Sequence, residues 1–170
     1  MIDISLLDAT FLDKINMVIS EMETAGYTIQ LQSGFRSLVD QGKLWRRGRS
    51  SSVIKEKIKY LRDNDCDVLA DALHNAGPQM SNIRCTNSMP GYSWHNWGQA
   101  IDVFVNNDPS GCRELYGVLA DKAVKIGLTS GFNFKSFKDP GHLQMNAREI
   151  PSIYKLKTVN DYFKDNPSLI

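Results

Sequence analysis

The run Ser93-Trp94-His95-Asn96-Trp97-Gly98-Gln99-Ala100-Ile101-Asp102 and the later turn Asp139-Pro140-Gly141-His142 gather two imidazoles and two carboxylates. The chain has only three histidines, and two of them fall here. Two imidazoles and one carboxylate are the donor set of a hydrolytic zinc site, which keeps a fourth position open for water and needs a base close by. Asp139, three residues before His142, is a candidate for that base. Each residue alone has a blander account. Asp102 could pair with a nearby Lys or Arg, His142 could be a hydrogen-bonded core histidine, and Asp139 stands in a Pro-Gly turn where aspartate is common for local reasons. The joint occurrence points to chemistry.

The spacing says what must position these groups. His95 and Asp102 are seven residues apart, so they are not two ligands on one helix face. The pattern suits a ligand on a loop and another on the strand that the loop enters, with Gly98 permitting a close turn. Ala100 to Val105 reads as that strand, with Ile101 and Val103 facing away from Asp102. A carboxylate inside such an apolar run is costly to bury without a partner, and a metal ion is a sufficient one.

The remaining elements follow from periodicity and punctuation. Residues 4–25 repeat apolar positions at helical spacing, with Asp3 or Ser5 as cap and Gly26 as stop. Tyr27 to Gln32 alternates as a strand. A helix capped by Ser37 runs to about Gly48, Ser50 to Ser52 mark a break, and residues 53–76 are helical with a break at Asn64 and Asp65. Residues 78–99 are irregular, and Asn106 to Gly111 is a turn. Residues 112–126 form a helix closed by Gly127. Phe132 to Phe134 and His142 to Met145 read as strands. The tail, 146–170, holds helical turns near Arg148 to Tyr154 and near Val159 to Phe163. Lys43, Arg46, Arg47 and Arg49 read first as a solvated face at a helix C-terminus, with docking to an anionic surface as the sharper alternative.

Here the motifs become specific. Ser93-x-His95-x-x-Gly98-x-Ala100-x-Asp102 resembles the signature of the D-Ala-D-Ala carboxypeptidase and L-alanyl-D-glutamate endopeptidase family of zinc peptidases (VanY-like). Asp139-x-x-His142 resembles that family's second motif in its aspartate form, and Ser33-Gly34-Phe35-Arg36-Ser37, followed by Gln41, resembles its arginine motif. The blocks occur in the family's order over residues 33–144. The resemblance implies His95, Asp102 and His142 as ligands to one Zn2+ and Asp139 as general base and then acid. It implies Arg36 as substrate binder or oxyanion stabiliser, with Ser93 and Gln41 as further substrate contacts. It also implies an α+β fold of hedgehog/DD-peptidase type, a small, mainly antiparallel sheet with flanking helices. The reaction implied is hydrolysis of peptidoglycan stem peptides, first at the L-Ala–D-Glu bond as in endolysins, with D,D-carboxypeptidase action and a non-catalytic zinc-stabilised wall-binding module as alternatives. The chain departs from the endopeptidases at Ser130 and Phe134, where they often carry tryptophan.

Bulk properties are compatible with this. The 170 residues suit one domain, and 42% hydrophobic with 23% charged residues is ordinary for a globular protein. A net charge of +1 gives no basic excess to attract nucleic acid, and no stretch is long enough to span a membrane. A monomer is expected. Cys66, Cys85 and Cys112 have no metal-knuckle spacing and read as small buried apolar residues in a reduced compartment. The first residues lack the basic, then apolar, pattern of a secretory signal. The expectation is synthesis in the cytoplasm and action on the wall after holin-type release or dedicated secretion.

Overall fold

In the computed structural model, which describes residues 4–170, helices and a small sheet alternate along the chain. They are helix α1 (Ala9–Thr24), strand β1 (Ile29–Ser33), helices α2 (Leu38–Arg46), α3 (Ser51–Asp63) and α4 (Asp67–Asn75), strand β2 (Ala100–Val105), helix α5 (Arg113–Lys125), strands β3 (Thr129–Ser130) and β4 (His142–Gln144), and helix α6 (Leu156–Asp165). All sheet pairings are antiparallel, in the order β1-β2-β4-β3. This is the α+β class with a small antiparallel sheet.

The chain forms two compact units. One comprises the segment up to Phe35 together with Trp97–Ala147, and the other Arg36–Asn96 together with Arg148–Ile170. In the first, the inward residues Ile101, Val103 and Val105 of β2 are buried with Phe11, Ile15, Val18 and Met22 of α1 and with Tyr116, Leu119 and Ala123 of α5. The α1 positions recur at intervals of four, three and four, the stripe one helix face requires. Each large apolar side chain so buried contributes on the order of 1.5–3 kcal/mol. In the second unit, α2, α3, α4 and α6 bury Leu38, Trp45, Leu61, Leu69, Leu73, Val159 and Phe163. No helix among the described residues is long and apolar enough to cross a membrane.

Several sequence expectations are corrected. Helix α1 begins at Ala9, five residues after the start of the periodic stretch at residue 4, because Asp8 accepts a hydrogen bond from the Phe11 N–H at 2.9 Å and takes the cap from Ser5. Asp3, the other candidate, lies outside the described residues. Ser51 and Ser52 lie inside α3, which Ser50 caps. Phe132 to Phe134 is not a strand: Gly131–Asn133 is a 3-10 turn, where the Ser130 hydroxyl accepts from the Phe132 N–H, a local bond that competes with a sheet ladder. The tail carries a full helix, α6, where a single turn was expected. Cys66 is buried as expected, whereas Cys85 is exposed and Cys112 half-buried; all three are free thiols.

The basic cluster is also more structural than a solvated face. Arg46 donates to the Leu73 carbonyl at 2.7 Å, and Arg49 donates to the Trp45 carbonyl and, at 2.9 Å, to that of Thr86 while lying over the Trp45 ring. These bonds tie α4 and the irregular segment after it to α2.

Candidate metal centre

The sheet sets the first two candidate ligands side by side. Asp102 on β2 pairs directly with His142 on β4, so both side chains stand on the same face. The His142 Nδ1 lies 2.9 Å from Asp102 Oδ1, and its Nε2 lies 2.8 Å from Gln144 Oε1. The other Asp102 oxygen, Oδ2, accepts a hydrogen bond from the Ser33 hydroxyl at 2.5 Å. The His142 side chain is 12% exposed and that of Asp102 is 28% exposed, so both keep some access to solvent.

His95 comes from the 3-10 turn Trp94–Trp97 that leads into β2, and it is buried. Buried Asn96 holds this turn: its Oδ1 accepts from the Gly91 N–H at 3.0 Å, and its Nδ2 donates to the Arg36 carbonyl at 2.8 Å. The Trp94 indole N–H donates to the Arg148 carbonyl at 3.0 Å, so Trp94 packs and anchors. Gly98 then turns the chain with φ +67°, and a Cβ there would collide with the Leu6 carbonyl oxygen. The nitrogen and oxygen donors of His95, Asp102 and His142 all lie within 4.8 Å of one another, a group that could hold a metal ion. Among the described residues no other three His, Cys, Asp or Glu side chains meet in this way. Two imidazoles and one carboxylate suit zinc by donor chemistry.

Asp139 is exposed on the turn before β4. Its backbone is fixed at both ends, with its N–H donating to the Gly131 carbonyl at 3.1 Å and its carbonyl accepting from the His142 N–H at 3.0 Å. Gly131 permits this approach, since a Cβ there would meet the Asp139 carbonyl oxygen and come within 3.0 Å of the His142 Cβ. Burial pushes the His142 pKa down. The Asp102 hydrogen bond and charge, the Gln144 hydrogen bond and the Asp139 charge push it up, and together they hold it above its ordinary value of 6.5.

Arg36 is half-buried just before α2, with its N–H donating to the His95 carbonyl at 3.1 Å. Its Nη1 donates to Gln41 Oε1 at 3.0 Å, and Gln41 Nε2 donates to the Ser88 carbonyl at 2.7 Å. Gln41 is thus buried with both ends of its amide engaged, and it orients the guanidinium. Ser93 is half-buried, with its carbonyl accepting from the Asn96 N–H. Ser33 and Gln144 join this site although the sequence reading gave them no role. Ser33 was visible as the first residue of the arginine block, and Gln144 as the residue two beyond His142, on the same strand face.

The family model described as VanY, D-alanyl-D-alanine carboxypeptidase, matches residues 4–144. The chain belongs to the VanY family. Solved structures are similar to this VanY-family chain at low identity. The LdcB LD-carboxypeptidase is 19% identical over 97% of this chain and 78% of its own, with a TM-score of 0.50, which shows a shared fold. The Serratia marcescens L-Ala D-Glu endopeptidase ChiX is 14% identical over 96% and 86%, with a TM-score of 0.49. A mutant of the vancomycin resistance D,D-pentapeptidase VanY from a VanB-type resistance cassette, in complex with Zn(II), is 16% identical over 91% and 78%, with a TM-score of 0.48. No curated protein is significantly similar to the chain.

Proposed function

We propose that this VanY-family chain is a zinc metallopeptidase that hydrolyses the L-Ala–D-Glu amide bond of peptidoglycan stem peptides. The observation that carries the reading is the convergence of His95, Asp102 and His142 within 4.8 Å in a chain of this family. These three residues would hold one zinc ion. When bound, zinc polarises the scissile carbonyl and lowers the pKa of water from about 15.7 to about 7.

The chain's own residues do the rest. The Asp139 carboxylate takes a proton from the attacking water and delivers it to the amine nitrogen as the C–N bond breaks, acting first as base and then as acid. Its solvent access and fixed backbone suit a group that must exchange protons with substrate. Arg36 supplies a permanent charge in a planar fork, suited to the oxyanion or to a substrate carboxylate. Gln41 contributes to substrate binding through the orientation it gives Arg36, and Ser93 supplies a hydroxyl close by in the chain. The aspartate at 139 and the Pro90-Gly91-Tyr92-Ser93-Trp94-His95-Asn96 run favour the endopeptidase. The substrate puts the site of action at the cell wall, and the protein works there as a monomer after holin-type release or dedicated secretion.

A second reading, removal of the terminal D-Ala as a D,D-carboxypeptidase, is favoured by the description of the matching family model. A synthetic stem pentapeptide ending in D-Ala-D-Ala, digested by zinc-loaded protein and followed by mass spectrometry, separates the two. Release of free L-Ala with a peptide beginning at D-Glu supports the endopeptidase. Release of one D-Ala alone makes it the carboxypeptidase.

A further inference from the structure

The pairing of β1 with β2 runs Ile29 to Val105, Gln30 to Phe104 and Leu31 to Val103, and a regular ladder would next set Gln32 opposite Asp102. A β-bulge intervenes, and Ser33 takes that place instead. Bulges re-aim side chains and are frequent beside functional sites. The result is a row across three strands, Ser33, Asp102 and His142, extended along β4 by Gln144. We propose that Ser33 and Gln144 are positioning residues of the metal centre, each gripping one ligand by the atom that faces away from the ion. The inference rests on the zinc reading above.

The hydrogen-bond logic is directional. The Ser33 hydroxyl has a single proton, and it is given to Asp102 Oδ2. That leaves Oδ1, the oxygen beside His142 Nδ1, as the one turned to the metal. Gln144 is buried, and its Nε2 donates to the Asn146 carbonyl, which can only accept. Its Oε1 is therefore the end presented to His142 Nε2, at 2.8 Å. An amide oxygen there requires a hydrogen on Nε2, and the lone pair of a neutral imidazole is then on Nδ1, the nitrogen beside Asp102. Outer partners of this kind fix the tautomer and the rotamer of a ligand before the ion arrives.

Zinc affinity of the full chain, measured by competition with a chromophoric chelator, tests this without recourse to activity. Ser33→Ala and Gln144→Met are each expected to weaken zinc binding by about 10- to 100-fold and to alter the visible spectrum of the cobalt-loaded protein. Ser33→Thr, which keeps the hydroxyl, is expected to restore both readouts. Wild-type affinity and an unchanged cobalt spectrum in both truncation variants would overturn the inference while leaving the zinc reading intact. Failure of the wild-type chain to take up zinc would overturn both. Should a variant not fold, the wild-type zinc protein decides by nitrogen-15 NMR. A proton on Nε2 of His142 supports the inference, and a proton on Nδ1 contradicts it.

Discussion

Burial works against a charge on His142, while Asp102, Gln144 and Asp139 work for it, and the second group wins. In the metal-free protein the His142–Asp102 ion pair therefore contributes stability that is fully present below the ordinary pKa of 6.5. That contribution is lost as pH rises through the raised folded value. Zinc must displace the same proton. Its affinity is accordingly predicted to fall by about tenfold per pH unit once the pH drops below that raised value, with the loss already visible above pH 6.5. Chelator competition across the pH range measures this, and a flat profile would contradict it. His95→Ala is predicted to abolish stoichiometric zinc uptake, read by elemental analysis of the dialysed protein. The candidate ligands were legible in the sequence because residue type and spacing carry coordination chemistry. The engagement of Gln41 with Arg36, and of Gln144 with His142, was not, because side-chain hydrogen bonds depend on which strand face or helix turn each residue occupies.

The elements that place those residues were readable to different depths. Strand β2 was placed to the residue because its apolar run, broken only by Asp102, is bounded by Gly98 and Asn106. The two-residue strand β3 and the bulge in β1 leave no periodic trace, and the Phe132–Phe134 spacing imitated a strand where a serine hydroxyl closes a 3-10 turn. Gly98 shows how an element boundary serves the site. Replacing it with alanine strains a positive φ and drives a Cβ into the Leu6 carbonyl. Gly98→Ala is therefore predicted to cost more than about 1 kcal/mol and to weaken zinc binding with it, since the turn carrying His95 must shift. Asp8→Ala, which removes only the α1 cap, is predicted to cost about 1 kcal/mol and to leave zinc affinity unchanged. Denaturant melts paired with zinc titrations separate the two effects.

At the scale of the whole molecule, the family match over residues 4–144 and the α+β fold agree with what the three motif blocks implied. The helical content after Tyr154 was underestimated because the buried face of α6 carries only two large apolar residues, Val159 and Phe163, with the polar Asn160 between them. A bound ion stabilises the native chain by mass action. At a free zinc concentration of about 100 times Kd the gain is about 2.7 kcal/mol, which for a chain of this length raises Tm by roughly 5–10 °C. Calorimetry with and without chelator checks that value, and His95→Ala is predicted to show no such difference. One zinc ion held by His95, Asp102 and His142 is expected to drive amide hydrolysis with Asp139 as base. The most direct test is stem-peptide cleavage by chelator-stripped protein as zinc is added back, with Asp139→Ala in parallel. Activity should rise from none to a plateau at one zinc per chain, and the variant should take up the same zinc but stay inactive. Full cleavage by the stripped protein, or by Asp139→Ala, would contradict this expectation.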